Sequence, residues 1–275
     1  MLTEEQKKRI ELENKKIADN IQLIKHRIVV FSGKGGVGKT MVSVNLAYGL
    51  HNLGYSTGIL DADVTGPNVP KMLGIQDRLF VQEERLIPQV CNGVKVVSMA
   101  NILLPEQAVI WRGPMRSKLL NQFLSDVEWG KMDYLVADLP PGTGDEIITM
   151  TQNMKPDMAI IITTPQEVSL IDSSRAINMA KQIKIPRIAV IENMSGLICP
   201  ECGYRIDLFG TGGGKKQAQE MNVDFLGAIP INLEARKLAD EGKLITVEDE
   251  KADISITIFN IVKEIESIFD ENIKN

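Results

Sequence analysis

The stretch Gly33-Lys34-Gly35-Gly36-Val37-Gly38-Lys39-Thr40 decides the fold class of this chain. It fits the phosphate-binding pattern GxxxxGK[ST], in which glycines let successive main-chain N–H groups turn toward phosphate oxygens. Lys39 is expected to reach the β and γ phosphates of a nucleotide, and Thr40 to bind Mg²⁺. A second lysine within the loop, Lys34, narrows the large class of P-loop proteins to a small group.

The residues around this loop have the order that the motif requires. Residues 27–31, Arg-Ile-Val-Val-Phe, are rich in β-branched apolar side chains, which predicts a buried strand, and residues 41–53 predict a helix closed by Gly54. A helix that begins at the loop adds free N–H groups and a partial positive charge to the anion site. Strand, loop and helix together predict a nucleotide site.

The remainder of the chain alternates short apolar runs with helical patterns. Further strands are predicted at 57–61, 94–98, 134–138, 158–163, 187–192 and 225–229. This alternation predicts an α/β fold, a P-loop NTPase with a mostly parallel sheet and helices on both faces. Residues 75–93 predict an antiparallel excursion, and residues 254–273 an amphipathic helix on one sheet face.

The N-terminal segment has a more polar pattern than the rest of the chain. Residues 3–24 predict a polar helix that begins with the capping box Thr3-Glu4-Glu5-Gln6. We therefore divide the chain into an N-terminal helical extension, 1–25, and one P-loop ATPase domain, 26–275, which contains the cysteine turn.

Composition excludes several functional classes. A net charge of −5 over 275 residues argues against general affinity for nucleic acid or for an anionic membrane surface. No apolar run approaches the roughly 18 residues of a membrane span, and the N-terminus lacks a signal-peptide pattern. Three cysteines do not make a disulfide framework. A cytoplasmic protein is expected, with its thiols free for metal.

Two predicted strands end in carboxylates, where ligand groups gather in an open parallel sheet. After 57–61, Asp63 is positioned to orient or deprotonate an attacking water, and Asp61 to assist the Mg²⁺ shell, although Asp61 could instead cap a turn. After 134–138, Asp138 is the Mg²⁺-side carboxylate, held through water or Thr40. Gly142, in the following loop, lets a main-chain N–H approach the γ-phosphate.

A third strand end carries an amide. Asn193 follows 187–192, and the Asn-Lys-x-Asp run that reads guanine is absent there. We therefore predict ATP over GTP, with Asn193 as the adenine contact. The nearby glycine run 210–216 lacks the lysine and hydroxyl of a second phosphate site, so it is interpreted as a turn that opens the next helix.

The turn Cys199-Pro200-Glu201-Cys202-Gly203 places two sulfurs where they can face one metal or cluster. Four interpretations are open: half a zinc site, a dithiol redox pair, half a bridged iron–sulfur site, or two structural thiols. A redox pair is disfavoured because the turn does not open a clear helix. Cys91 lies alone on a predicted strand as a structural thiol. A symmetric dimer would supply four thiolates.

Five motifs together resemble the Mrp/ApbC family of ATP-dependent iron–sulfur cluster carriers, within the class that contains MinD, ParA and the nitrogenase iron protein. They are Gly-Lys-Gly-Gly-Val-Gly-Lys-Thr at 33–40, Asp-Ala-Asp-Val-Thr-Gly-Pro-Asn at 61–68, Trp-Arg-Gly-Pro-Met at 111–115, Asp-Leu-Pro-Pro-Gly-Thr-Gly-Asp at 138–145 and Cys-Pro-Glu-Cys-Gly at 199–203. The resemblance covers about 27–270.

The resemblance implies a homodimeric ATPase whose cofactors are ATP, Mg²⁺ and a [4Fe–4S] cluster. It implies that Lys34 crosses the dimer interface to the partner's phosphates, so that Lys34, Lys39, Asp63 and Asp138 are the catalytic set. It also implies that Cys199 and Cys202 of each subunit bridge one cluster for delivery to apo iron–sulfur client proteins.

Two other functions remain alternatives. A positioning switch similar to MinD or ParA predicts a basic C-terminal helix or a basic stripe, yet residues 252–275 contain five acids and two lysines. A reductase similar to the nitrogenase iron protein predicts cluster cysteines far apart in sequence, which the CxxC turn does not match.

Overall fold

A computed structural model of the protein describes residues 3–64, 66–83, 85–101 and 113–271. Its strands are β1 (Ile24–Phe31), β2 (Thr57–Asp61), β3 (Phe80–Gln82), β4 (Arg85–Ile87), β5 (Gln89–Cys91), β6 (Val94–Ser98), β7 (Met132–Asp138), β8 (Met158–Thr163), β9 (Arg187–Glu192), β10 (Leu197–Ile198), β11 (Arg205–Ile206) and β12 (Asp224–Ala228). Its α-helices are α1 (Glu4–Ile21), α2 (Lys39–Asn52), α3 (Val69–Met72), α4 (Gly113–Ser125), α5 (Asp145–Met154), α6 (Glu167–Gln182), α7 (Gly213–Glu220), α8 (Leu233–Glu241), α9 (Ile245–Glu248) and α10 (Asp253–Glu271).

Eight of the described strands form one sheet in the order β12-β9-β8-β1-β7-β2-β6-β5. Neighbouring strands pair in parallel, except that β5 runs antiparallel to β6 at one edge. The predicted α/β class with a mostly parallel sheet is confirmed. Because β1 lies in the middle of the sheet, the loop that follows it is flanked by the ends of β7 and β8.

Alternating residues of β1 build two separate cores. Ile28 and Val30 pack on one face with apolar residues of α2 and α10, while Val29 and Phe31 pack on the other face with α1, α4, α5 and α6. All four side chains are at most 1% exposed. A strand buried on both faces reads as a continuous apolar run, which is why its pattern showed no alternation.

The N-terminal helix forms as the capping box predicts, with Thr3 and Gln6 exchanging hydrogen bonds. Its last turn packs on the body, where Asn20 donates from Nδ2 to the main-chain oxygens of Leu124, Ser125 and Val127 at 2.9 to 3.0 Å. These bonds satisfy carbonyls at the C-terminal end of α4. β1 begins at Ile24, shortly after this helix ends. The division of the chain into an N-terminal extension, 1–25, and a P-loop domain, 26–275, stays a prediction.

The segment 75–93 contains the predicted antiparallel excursion, as the β3–β4 hairpin and the edge strand β5. Trp111 and Arg112 of the motif at 111–115 lie outside the described residues, as does Thr65 of the motif at 61–68. The end of the helix predicted to reach 273 also lies outside them. Within the described ranges, no helix has the length and hydrophobicity that a bilayer crossing requires.

Candidate functional site

The glycine loop follows β1 and opens α2, and two kinds of constraint fix its glycines. Gly36 and Gly38 have φ angles of 80° and 81°, in the left-handed region that favours glycine. At Gly33 the constraint is steric, since a Cβ there would lie 2.2 Å from the main chain of Asp172 in α6. The loop is thus held against α6 at its start and twisted at its centre, as a phosphate cradle requires.

Lys39 gives the clearest sign of an anion site. Its side chain is 7% exposed, and Nζ lies 2.8 Å from Oδ1 of Asp138. The contact is an ion pair without hydrogen-bond geometry, so the buried Nζ has no hydrogen-bond partner among the described residues. A buried ammonium costs free energy unless it is hydrogen-bonded. Phosphate oxygens of a nucleotide would satisfy it, so the residues present fit the predicted ligand.

Asp138 ends β7 beneath the loop and is 1% exposed. Thr40 donates from Oγ1 to its Oδ2 at 2.7 Å, and Ser43 donates from Oγ to its Oδ1 at 2.7 Å. A hydroxyl and a carboxylate in contact are oxygen donors of the kind that Mg²⁺ prefers. The bond to Thr40 is one of the two arrangements expected for Asp138, which was to be held through water or Thr40. The contact with Ser43 was not expected, because Ser43 lies one helical turn inside α2 and belongs to no motif.

Asp61 ends β2 and lies opposite Asp138 in the register of the parallel strands. It is fully buried and accepts hydrogen bonds from Ser98 Oγ at 2.9 Å and from Val69 N at 3.1 Å. Burial, followed by the nearby charge of Asp138, raises the pKa of Asp61 to about 7. Asp61 therefore caps the following turn and also lies beside Asp138, the carboxylate that is predicted to lie on the Mg²⁺ side. Its role in the Mg²⁺ shell stays a prediction.

Asp63 and Lys34 are both partly accessible, as residues that meet a ligand must be. Asp63 lies two residues beyond β2, where its Oδ1 accepts from Gly66 N at 3.1 Å. The main-chain oxygen of Lys34 accepts a hydrogen bond from Ser32 Oγ at 2.8 Å. This bond fixes the backbone and does not involve the side-chain ammonium. Their catalytic roles stay predictions.

Gly142 lies in the loop between β7 and α5 with a φ of 100°. Its N–H donates to the main-chain oxygen of Ser32 at 2.8 Å. The loop therefore rests on the residue before the glycine loop. For Gly142 to contact a γ-phosphate, this bond must be exchanged for one to the phosphate, and that contact stays a prediction.

Asn193 follows β9 and is 2% exposed. Its Nδ2 donates to the main-chain oxygen of Val37 at 2.8 Å, and a Cβ on Gly38 would lie 2.2 Å from the same nitrogen. The side chain thus braces the glycine loop from below. No local pattern around Asn193 indicates this long-range contact, and the assignment of Asn193 to the adenine ring stays a prediction.

The two cysteines lie at the tip of the short antiparallel hairpin of β10 and β11. Cys199 N donates to Tyr204 O, and Gly203 N to Cys199 O, both at 2.9 Å, so the turn is a compact knuckle. Cys199 is half-buried and Cys202 exposed. Main-chain N–H groups of Cys202 and Glu201 lower the pKa of the Cys199 thiol, which favours the thiolate that binds metal.

The knuckle offers two free thiols, and the described residues hold no group of three or more His, Cys, Asp or Glu that could bind a metal ion. Cys91, the remaining cysteine, ends β5 and donates to Leu73 O at 3.4 Å. It is half-buried, as a structural thiol would be. A four-ligand site at the knuckle therefore needs ligands from outside the described part of the chain.

Comparison with known proteins gives one family. The ParA family model described as NUBPL iron-transfer P-loop NTPase matches residues 23–266. The iron-sulfur cluster carrier protein of Pyrococcus horikoshii is 48% identical over 259 residues, which are 88% of this chain and 88% of the relative. That of Methanocaldococcus jannaschii is 49% identical over 251 residues, 90% of this chain and 86% of the relative.

Solved structures agree with this family. A nucleotide-binding protein from Archaeoglobus fulgidus in complex with ADP superposes with a TM-score of 0.76 at 38% identity, over 87% of this chain and 94% of that protein. MinD from Pyrococcus horikoshii, complexed with Mg-ADP, superposes with a TM-score of 0.67 at 19% identity, over 89% of this chain and 97% of MinD. The second likeness shows the fold alone.

Proposed function

Because the chain belongs to the ParA family of NUBPL-type iron-transfer P-loop NTPases, we propose that it is an ATP-hydrolysing homodimer that carries an iron–sulfur cluster. The cluster is a [4Fe–4S] cargo that Cys199 and Cys202 of both subunits hold and deliver to apo-proteins. The observation that supports this most directly is a hairpin tip with one half-buried and one exposed thiol, on a chain whose nucleotide loop contains a buried ammonium without a hydrogen-bond partner among the described residues.

The nucleotide half of the proposal rests on the loop. Lys39 would hold the β and γ phosphates, and Mg²⁺, held by Thr40 with Asp138 behind it, would neutralise charge on them. Asp63 would orient the attacking water and take up its proton, while the oxygen attacks the γ-phosphorus and ADP leaves. Lys34 of each chain would reach the phosphates of the other. We propose that ATP hydrolysis is slow, because it serves the transfer of a cluster and not the rapid turnover of ATP.

The cluster part of the proposal rests on the number of thiolate ligands that a cluster needs. A cubane cluster takes four thiolates, and the knuckle offers two. A twofold axis beside Cys202 would bring four together, and a symmetric pair is the commonest assembly. Reduced thiols at an exposed tip also need a reducing compartment, so we propose a cytoplasmic location. Membrane and nucleic acid have no part in this function.

The positioning-switch alternative has less support. Such a switch predicts a C-terminal helix available to a membrane, but most apolar residues of α10 point into the domain core, and Ile256 is the large one that is exposed. Ile258, Ile261 and Ile265 are at most 1% exposed. The described part of α10 therefore uses its main apolar face to stabilise the fold, and a single exposed isoleucine does not make a second face for a bilayer.

Anaerobic reconstitution tests the proposal. Wild-type protein supplied with iron and sulfide is expected to gain the visible absorbance of a cluster and about four irons per dimer. Cys199→Ser and Cys202→Ser are each expected to lose both. Cys91→Ser is the matched control, since Cys91 lies on an edge strand away from the knuckle and should keep the cluster. Cluster uptake by both knuckle variants would exclude the proposal.

A further inference from the structure

The segment Glu192–Ser195 lies between the glycine loop and the cysteine hairpin, and it contacts both. On the loop side, Asn193 Nδ2 donates to Val37 O at 2.8 Å, and the Cε of Met194 lies 3.7 Å from where a Cβ of Gly38 would be. The loop and this segment are therefore close-packed. A shift of the loop main chain on phosphate binding would displace the segment, since packed interiors transmit small movements.

On the other side, Glu192 carries a fully buried carboxylate that the nucleotide chemistry does not use. Its Oε1 accepts from Ser195 Oγ at 2.6 Å and from Gly212 N at 3.0 Å, and its Oε2 accepts from Gly214 N at 2.6 Å. Charge-assisted bonds of this kind are short and strong. The glycine run 210–216 therefore binds an anion from within the chain, and Glu192 joins that run to Ser195.

The hairpin is anchored to the same groups. Ser195 N donates to Ile229 O at 2.9 Å, and Ile231 N donates to Gly196 O at 2.8 Å, which fixes the start of β10. From β11, the guanidinium of Arg205 contacts the main-chain oxygen of Ser195 at 3.4 Å and Thr211 Oγ1 at 3.3 Å. Both strands below the cysteine tip thus depend on Ser195 and the glycine run, which Glu192 holds together.

We propose that Glu192 is a positioning residue that transmits the state of the nucleotide loop to Cys199 and Cys202. Occupation of the loop moves Val37 and Asn193, Glu192 passes this movement to Ser195 and the glycine run, and the hairpin changes the accessibility of its tip. The inference rests on the proposed function in that it assumes a nucleotide in the glycine loop. A carboxylate with only a structural role would stabilise the fold without linking the two sites.

The test measures the rate at which iodoacetamide alkylates the knuckle cysteines in apo, full-length Cys91→Ser protein, with and without saturating Mg-ADP. ADP is chosen because it fills the loop without the γ-phosphate that would recruit a second copy, so any response arises within one chain. In this parent protein, which keeps Glu192, Mg-ADP is expected to change the alkylation rate at least about fivefold. That factor is the lower end of the usual coupling between two sites.

Glu192→Gln is expected to reduce this response to below about twofold. The new amide nitrogen is a donor, and it replaces a carboxylate oxygen that accepts a hydrogen bond from Gly214 N or Ser195 Oγ, so that bond is lost. ADP binding is verified by titration, so that saturated states are compared. Glu266→Gln makes the same chemical change at a hydrogen bond to Tyr55, remote from both sites, and should keep the full response. Ser195→Ala, which removes one of three donors to Glu192, should give a smaller loss and decides the matter if Glu192→Gln fails to fold.

Three results would overturn the inference. The first is no change of the alkylation rate with Mg-ADP in the parent protein. The second is a full response in Glu192→Gln or, if that variant does not fold, in Ser195→Ala, and the third is an equal loss of response in Glu266→Gln. None of these results bears on the proposed carrier function, which is tested separately by cluster uptake in the parent protein. Failure of cluster uptake with an intact thiol response would reject the carrier function and leave the coupling in place.

Discussion

Asn193 donates a hydrogen bond from Nδ2 to the main-chain oxygen of Val37 at 2.8 Å, so the end of β9 braces the nucleotide loop from below. Both groups are buried, and 156 residues of chain separate them. The loop is therefore not free to adopt its cradle by glycine flexibility alone. Its shape depends on a side chain of the segment that leads to the cysteine hairpin.

Asn193→Ala should weaken ADP binding about tenfold, because the buried Val37 carbonyl loses its partner and the loop its brace. Isothermal titration measures the change. Asn20→Ala is the matched control, since Asn20 is also a buried amide that donates to main-chain carbonyls, but in the contact of α1 with α4. Equal losses of affinity in the two variants would show a general loosening of the fold and contradict the specific role of Asn193.

Gly33→Ala should destabilise the protein by about 2 kcal/mol, because the new Cβ would lie 2.2 Å from the main chain of Asp172, which cannot yield without moving α6. Gly35→Ala is the neighbouring control. Its Cβ would meet only Pro141 Cγ at 4.0 Å, and its φ lies outside the left-handed region, so its stability should stay within about 0.5 kcal/mol of wild type. Urea denaturation compares the two, and a larger cost at Gly35 would refute the packing argument.

Lys34→Ala should keep ADP binding but lower ATP hydrolysis by about a hundredfold or more, in line with other cations supplied across an interface to a transferring phosphoryl group. Lys39→Ala should lose both, because its ammonium lies buried in the same chain's loop. Nucleotide titration and phosphate release separate the two outcomes. If Lys34→Ala hydrolyses ATP at the wild-type rate, Lys34 does not act across a dimer.

The stability of the protein should fall in acid partly because of His26. Burial, with Lys25 as the next cause, lowers the pKa of His26 below 6.5. The unfolded chain then binds the proton more readily than the folded one, so stability falls as pH drops through 6.5 toward the folded-state pKa. His26→Phe, which can still stack on Tyr134 and Phe269, should show a shallower loss. Urea midpoints at several pH values measure this, and equal slopes would contradict it.

Local pattern predicted much of the fold. The bounds predicted for the strands at 57–61, 94–98, 158–163 and 187–192 match those observed, because each is a buried apolar run that ends at a polar residue. β1 and β7 start earlier than predicted. The added residues include polar or charged ones, Lys25 and His26 in β1 and Asp133 in β7, and pairing between the two strands extends the ladder through them.

The contacts that link the parts of the candidate site were not predictable in this way. Asp138 could be assigned from its strand end, but nothing local to Ser43 shows that its hydroxyl meets that carboxylate 95 residues away. The same holds for Glu192, whose amide partners lie 20 and 22 residues further on. Motifs specify which ligand groups are present, whereas long-range packing decides which of them are joined.

Native mass spectrometry of anaerobically reconstituted protein tests the central claim most directly, because it counts subunits and iron in one particle. A dimer with four irons and four sulfides is expected for wild type, and a particle without a cluster for the Cys199→Ser, Cys202→Ser double variant. Mixing the two should give no heterodimer with a full cubane. A cluster on a monomer, or on a dimer that contains the double variant, would contradict a cargo held by the four thiolates of two knuckles.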